Sequence, residues 1–126
     1  MAAPNIVDVA TITGITTWKA GINLEAAGVS VVVTNAASSG KVLKVNSLVA
    51  TSIGDTTGVT AKIFNLAAGV GNSVSIGTTM AVPTYSSLAV ISKEMSIYLQ
   101  ENQSIGVFKQ PNAGDIDIVC SYEDIS

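Results

Sequence analysis

The chain has no histidine, no arginine and a single cysteine. Each absence removes a class of chemistry. Without histidine there is no ordinary triad base, no imidazole metal ligand and no group that titrates unperturbed near neutrality. Without arginine there is no bidentate clamp for phosphate or carboxylate. One cysteine cannot close an internal disulfide, which excludes a stapled secreted scaffold. Charge is scarce as well. Charged residues make up 12% of the chain, against about 25% in an average domain, and six lysines face nine acids for a net charge of -3. An acidic chain of this kind is poorly suited to nucleic acid. No window approaches the ~18 uninterrupted apolar residues of a membrane-spanning helix. The stretch Met1–Ala10 carries Asp8 and no basic residue, so it does not read as a secretory signal.

What is present points to strands. Val, Ile and Thr together supply 41 of the 126 residues, whereas Leu supplies six. Side chains branched at Cβ fit a pleated surface better than a helix. Ser, Thr, Asn and Gly add 45 residues suited to turns and polar strand faces. The sparse charge leaves a surface that is mostly neutral and cheap to dehydrate. This fits a protein packed against other proteins, and equally a plain Ser/Thr-rich β domain.

Along the chain, residues 1–24 stand apart. Asn5–Ile12 alternates like one strand, but Gly14, Thr16, Thr17, Gly21 and Asn23 then interrupt the pattern around Trp18. The expectation is an extended N-terminal arm over residues 1–24, with an ordinary first strand as the alternative. Residues 25–126 form the body. About eight strands follow one another between turns such as Gly54-Asp55, Gly69-Val70-Gly71 and Gln110-Pro111-Asn112-Ala113-Gly114. No segment sustains a helical period, and no fixed repeat is present. The expected architecture is all-β: a single antiparallel β-sandwich of about eight strands, jelly-roll-like, carrying the arm. The expected core is Val31, Val33, Leu43, Val45, Val49, Ile63, Ile76, Leu88, Val90, Leu99, Ile105, Ile116, Ile118 and Cys120.

No constellation carries catalysis, a cofactor or a metal. Asp115 and Asp117 lie two apart on a strand and share a face, without a partner that would split their pKa values for acid–base work. Glu123 and Asp124 extend the acidic run but lack the dense ligand spacing of a calcium loop. Cys120 alternates with Ile116 and Ile118, which places it in the core. Lys41, Lys44 and Lys62 are expected to share a sheet region as ordinary surface. Trp18 is singled out: it packs on its own domain, anchors a partner, or stacks on a sugar. The candidate interface residues are Ile6, Val7, Val9, Ile12 and Trp18.

Three segments carry a resemblance. Val90-Ile91-Ser92-Lys93-Glu94, then Ile97 through Ile105, then Ser121-Tyr122-Glu123-Asp124-Ile125-Ser126 resemble small virion structural proteins of tailed phages, especially marine and cyanobacterial ones. Gln100 and Asn102-Gln103 stand where that pattern carries acids. The similarity spans roughly residues 35–126. It implies a non-enzymatic β domain displayed on a phage particle, first as a capsid decoration or cement protein bound to the major capsid protein. A neck, tail or fibre component is the alternative, and a carbohydrate-binding module is a more distant one. The implied partners are virion proteins and further copies of the chain in a closed homo-oligomer, with a trimer favoured. Nucleic acid, membrane and cofactors are not among them.

Overall fold

In the computed structural model, residues 11–22, 29–54, 57–109 and 115–126 are described. Nine strands run through them: β1 (Ile12–Lys19), β2 (Ser30–Asn35), β3 (Val42–Ser52), β4 (Thr57–Leu66), β5 (Val70–Val82), β6 (Ser87–Ile91), β7 (Ile97–Leu99), β8 (Gln103–Lys109) and β9 (Ile116–Ile125). One sheet has the order β1-β9-β3-β6, with β7 also on β3; the other has the order β2-β8-β4-β5. Every pairing is antiparallel. The two sheets pack face to face, so the expected all-β sandwich is the architecture, and β2 to β9 match the eight strands read after the arm.

The alternation of β-branched residues builds the core. Val45, Leu48 and Ala50 from β3, with Ile118 and Cys120 from β9, face Val59 and Ala61 of β4 and Ile105 and Val107 of β8, all fully buried. Side chains on a strand alternate faces, so each central strand contributes every second residue to this layer. Between β4 and β5 the chain turns through Ala67–Gly69. Gly69 has φ +70°, and a Cβ there would lie 2.6 Å from Cγ1 of Val29. Only glycine meets both demands at once.

Two bulges change which residues face inward. β3 shifts register against β9 between Val45 and Ser47, leaving Asn46 as an extra residue. Leu43 and Val45 face the core as expected, but beyond the bulge the parity flips. Leu48 and Ala50 turn inward, and Val49, expected in the core, turns outward. β2 shifts similarly against β8 between Val31 and Val33. There Val32 and Val33 are both buried, while Val31 is half-buried. Ile63, Ile76 and Leu88 pack on the core from partly buried positions.

The arm expected over residues 1–24 is not separate in its second half. Residues 12–19 form β1 and pair with β9 over eight residues without a bulge, from Ile12 opposite Ile125 to Lys19 opposite Ile118. Thr11 and Ser126 extend this ladder through reciprocal backbone hydrogen bonds of 3.0 Å. Ile22 is buried, and its backbone N–H donates to the Ile116 carbonyl. Residues 1–10, including Ile6, Val7 and Val9, lie outside the described residues.

Candidate interaction surface

β1 is the end strand of its sheet, and among the described residues β9 is its one strand partner. Six of its eight residues are exposed, while Ile15 and Thr17 are half-buried. These two lie opposite Tyr122 and Cys120 on the core side. The other parity, Ile12, Gly14, Thr16 and Trp18, therefore lies on the outer face. Trp18 is 71% exposed and Ile12 58%. Trp18 thus projects from the sheet and is not packed into its own domain.

The register assembles an apolar row around Trp18. It lies opposite Val119 of β9, which lies opposite Val49 of β3, which lies opposite Ala89 of β6. The row crosses four strands on one face, and Val119 is 44% exposed. Thr16, Ser121 and Ser47 form the adjoining row on one side, while Asp117, Thr51 and Ser87 form it on the other. A second apolar row lies at the far end of the same face, where Ile12 lies opposite Ile125 and Ile125 opposite Val42. Ile125 and Val42 are buried. An aligned row of this kind is absent from any single stretch of sequence, because its members come from residues 18, 49, 89 and 119.

Three of the four acids Asp115, Asp117, Glu123 and Asp124 have structural partners. Asp117 accepts the Gly21 N–H at 2.9 Å, and Asp115 pairs with Lys109 at 3.1 Å. Asp124 pairs with Lys41 at 2.9 Å. Among the described residues no three His, Cys, Asp or Glu side chains gather where they could hold a metal ion. The three lysines expected in one region are divided. Lys41 and Lys44 belong to the β3 side of the first sheet, with Lys44 5.9 Å over the Tyr98 ring, while Lys62 belongs to β4 and lies 5.5 Å over Phe108.

A cleft of about 220 Å³ opens at the end of the sandwich between Thr34, Asn35, Ala36, Ser39, Lys41, Leu43, Tyr122 and Asp124. Sequence reasoning did not anticipate it. Its base is a polar knot around buried Asn35. The Asn35 Nδ2 donates to the carbonyls of Lys41 at 2.9 Å and Leu99 at 3.1 Å, and Ser39 Oγ donates to Asn35 Oδ1 at 2.5 Å. Burial, followed by the Asp124 and Cys120 charges, raises the Tyr122 phenol pKa against an opposing effect of Lys41. A phenol kept protonated and a lysine held by a carboxylate make neither a nucleophile nor a base.

Cys120 is fully buried, and burial pushes its thiol up to about 12 from 9.0. A buried neutral thiol is inert. Native protein is expected to resist iodoacetamide at pH 8 and to react within minutes once unfolded in urea, read by mass spectrometry. Because the folded pKa is raised, the stability from keeping this thiol neutral is whole below about pH 9. It is lost as pH rises from there toward 12.

Comparison with protein-family models, curated proteins and solved structures finds no match for this chain.

Proposed function

We propose that this chain is a non-enzymatic structural protein of a tailed-phage virion, in first place a decoration protein that binds the major capsid protein and stabilises the shell. The observation that carries the reading is the outer face of the first sheet. An exposed Trp18 stands in an apolar row at the open edge of that sheet, flanked on one side by the hydroxyl residues Thr16, Ser121 and Ser47 and on the other by Asp117, Thr51 and Ser87. An edge strand can accept a further strand through backbone hydrogen bonds alone, and aromatic residues concentrate at the centres of protein interfaces. The interaction surface then runs from Ile6, Val7 and Val9, ahead of β1, onto Ile12 and Trp18.

The strand order supports a jelly-roll reading. β1 pairs with β9, β2 with β8, β3 with β6 and β7, and β4 with β5. Nested pairing of this kind arises when one long antiparallel ribbon is folded over into two Greek keys, an architecture common in capsid domains. The resemblance of residues 90–94, 97–105 and 121–126 to small tailed-phage virion proteins points the same way.

Cryo-microscopy of the particle that carries the protein tests the reading. Density for a full shell complement is expected. A single ring on the tail axis would move the protein to the neck or tail, and its absence from the particle would overturn the proposal. Co-sedimentation with capsids separates the roles within the surface. A variant lacking residues 1–10, which keeps β1 and buried Ile22, is expected to lose most shell binding. Full retention would remove Ile6, Val7 and Val9 from attachment.

A further inference from the structure

The β1 edge is self-complementary in one antiparallel register, and we infer that its occupant is β1 of a second copy of this chain. Two identical strands joined antiparallel into a continuous sheet are related by a two-fold axis perpendicular to the sheet. Opposed residues must then share a face, so the two residue numbers of every pair have the same parity. Centring the axis on Ile15 satisfies this. Ile15 opposes itself, Gly14 opposes Thr16, Thr13 opposes Thr17, and Ile12 opposes Trp18. The last pair joins the two most exposed apolar side chains of the strand, 58% and 71%, on the outer face. Ile15 and Thr17, on the core side, meet Ile15 and Thr13 of the second copy.

Three features of the strand favour a second copy over a foreign strand. First, residues 12–18 carry no charge, so the symmetry opposes no like charges within the pairing. Second, β1 pairs with β9 without a bulge and contains no proline, so its edge is regular along its length. Third, this register carries the exposed apolar row across the join: Ala89, Val49, Val119 and Trp18 of one copy run on into Ile12 of the other, beyond which Ile125 and Val42 are buried, and the same row is repeated by symmetry. The interface closes at two copies, as isologous contacts do, and so departs from the trimer favoured on resemblance. It gives the backbone edge of β1 to the second copy and leaves the outer face that carries Ile12 and Trp18 open to the shell. It is independent of the virion assignment, because it is measured on purified protein.

Light scattering across a sizing column at about 100 µM protein is expected to give twice the 12.8 kDa chain mass. Ile12→Asp places a carboxylate opposite the Trp18 of the second copy. It is expected to give the single-chain mass, with an unchanged circular dichroism spectrum and a red-shifted emission from Trp18, the sole tryptophan. Disulfide mapping fixes the register. Oxidised Ile15→Cys is expected to form a linked dimer, and an equal mixture of Thr13→Cys and Thr17→Cys is expected to do so where neither does alone. A single-chain mass for the unmodified protein would overturn the inference, and so would a trimer mass. Linking by Thr13→Cys alone, with none by Ile15→Cys, would overturn the register.

Discussion

Ile118→Ala is expected to lower the unfolding free energy by about 2–5 kcal/mol, the range for truncating a fully buried aliphatic side chain. Ile118 has no exposed surface and lies in the first third of β9, between Lys19 of β1 and Ala50 of β3. The surrounding layer of Val45, Leu48 and Cys120 is held by two ladders of β9, so the site cannot collapse freely into the void. Against a total stability of roughly 5–15 kcal/mol for a domain, this is a substantial fraction. The melting temperature is expected to fall by roughly 10 °C. Val119→Ala, one residue along, removes a side chain from the outer face and is expected to cost under about 1 kcal/mol. Urea titrations of the two variants measure the contrast. A larger loss for Val119→Ala than for Ile118→Ala would mean that β9 is slipped by one residue, since a single step exchanges the faces of the whole strand.

The second large effect belongs to Asn35. Its amide is 2% exposed and ties together three segments: its own strand β2, the loop before β3 through Lys41, and the end of β7 through Leu99. Asn35→Ala leaves the Lys41 and Leu99 carbonyls and the Ser39 hydroxyl without this partner. Each buried orphan costs about 1–3 kcal/mol, and a net loss of about 2–4 kcal/mol is expected. Asn35→Asp is the more informative change. It keeps the shape but turns a donor into an acceptor facing two carbonyl oxygens. Burial and those oxygens raise the folded pKa of the new carboxyl above its unfolded value of about 4. A raised folded pKa contributes stability below the unfolded pKa that is lost as pH rises through the folded one. The deficit of Asn35→Asp relative to the natural chain should therefore be smaller at pH 4.5 than at pH 8, as read from urea midpoints. A deficit independent of pH would remove the amide-donor role.

Much of the body was legible because the strands of a sandwich bury one face. The alternation of Ile116, Ile118 and Cys120 marked β9, and the turn residues marked where strands end. What failed has physical causes. Val49 was read inward because strict alternation was carried through Asn46, where one bulged residue reverses parity. Val32 escaped the expected core for the related reason at the β2 bulge. For residues 12–19 the sequence leaves an arm and an ordinary first strand both open, because an end strand with one neighbour, six of its eight residues exposed, shows little hydrophobic alternation to find. The site was legible only as a lone Trp18. Its row with Val119 and Val49 depends on register between strands that are distant in sequence. The Asn35 knot depends on a carbonyl 64 residues away.

The placement of β9 governs how the chain must fold. It lies between β1 and β3, with Ile12 opposite Ile125 and Val42 opposite the same residue. Neither early strand can complete its ladder until Ile116–Ile125 has left the ribosome, so the first sheet cannot be completed before then. Closing such sequence-distant loops before any contact rewards them is slow, on the order of milliseconds to seconds. During that wait Val42–Ser52 can pair with β6 and β7 on one side, but its other edge, which β9 later covers, stays open. A nascent chain stalled before residue 116 is thus prone to aggregate through the uncovered edge of Val42–Ser52.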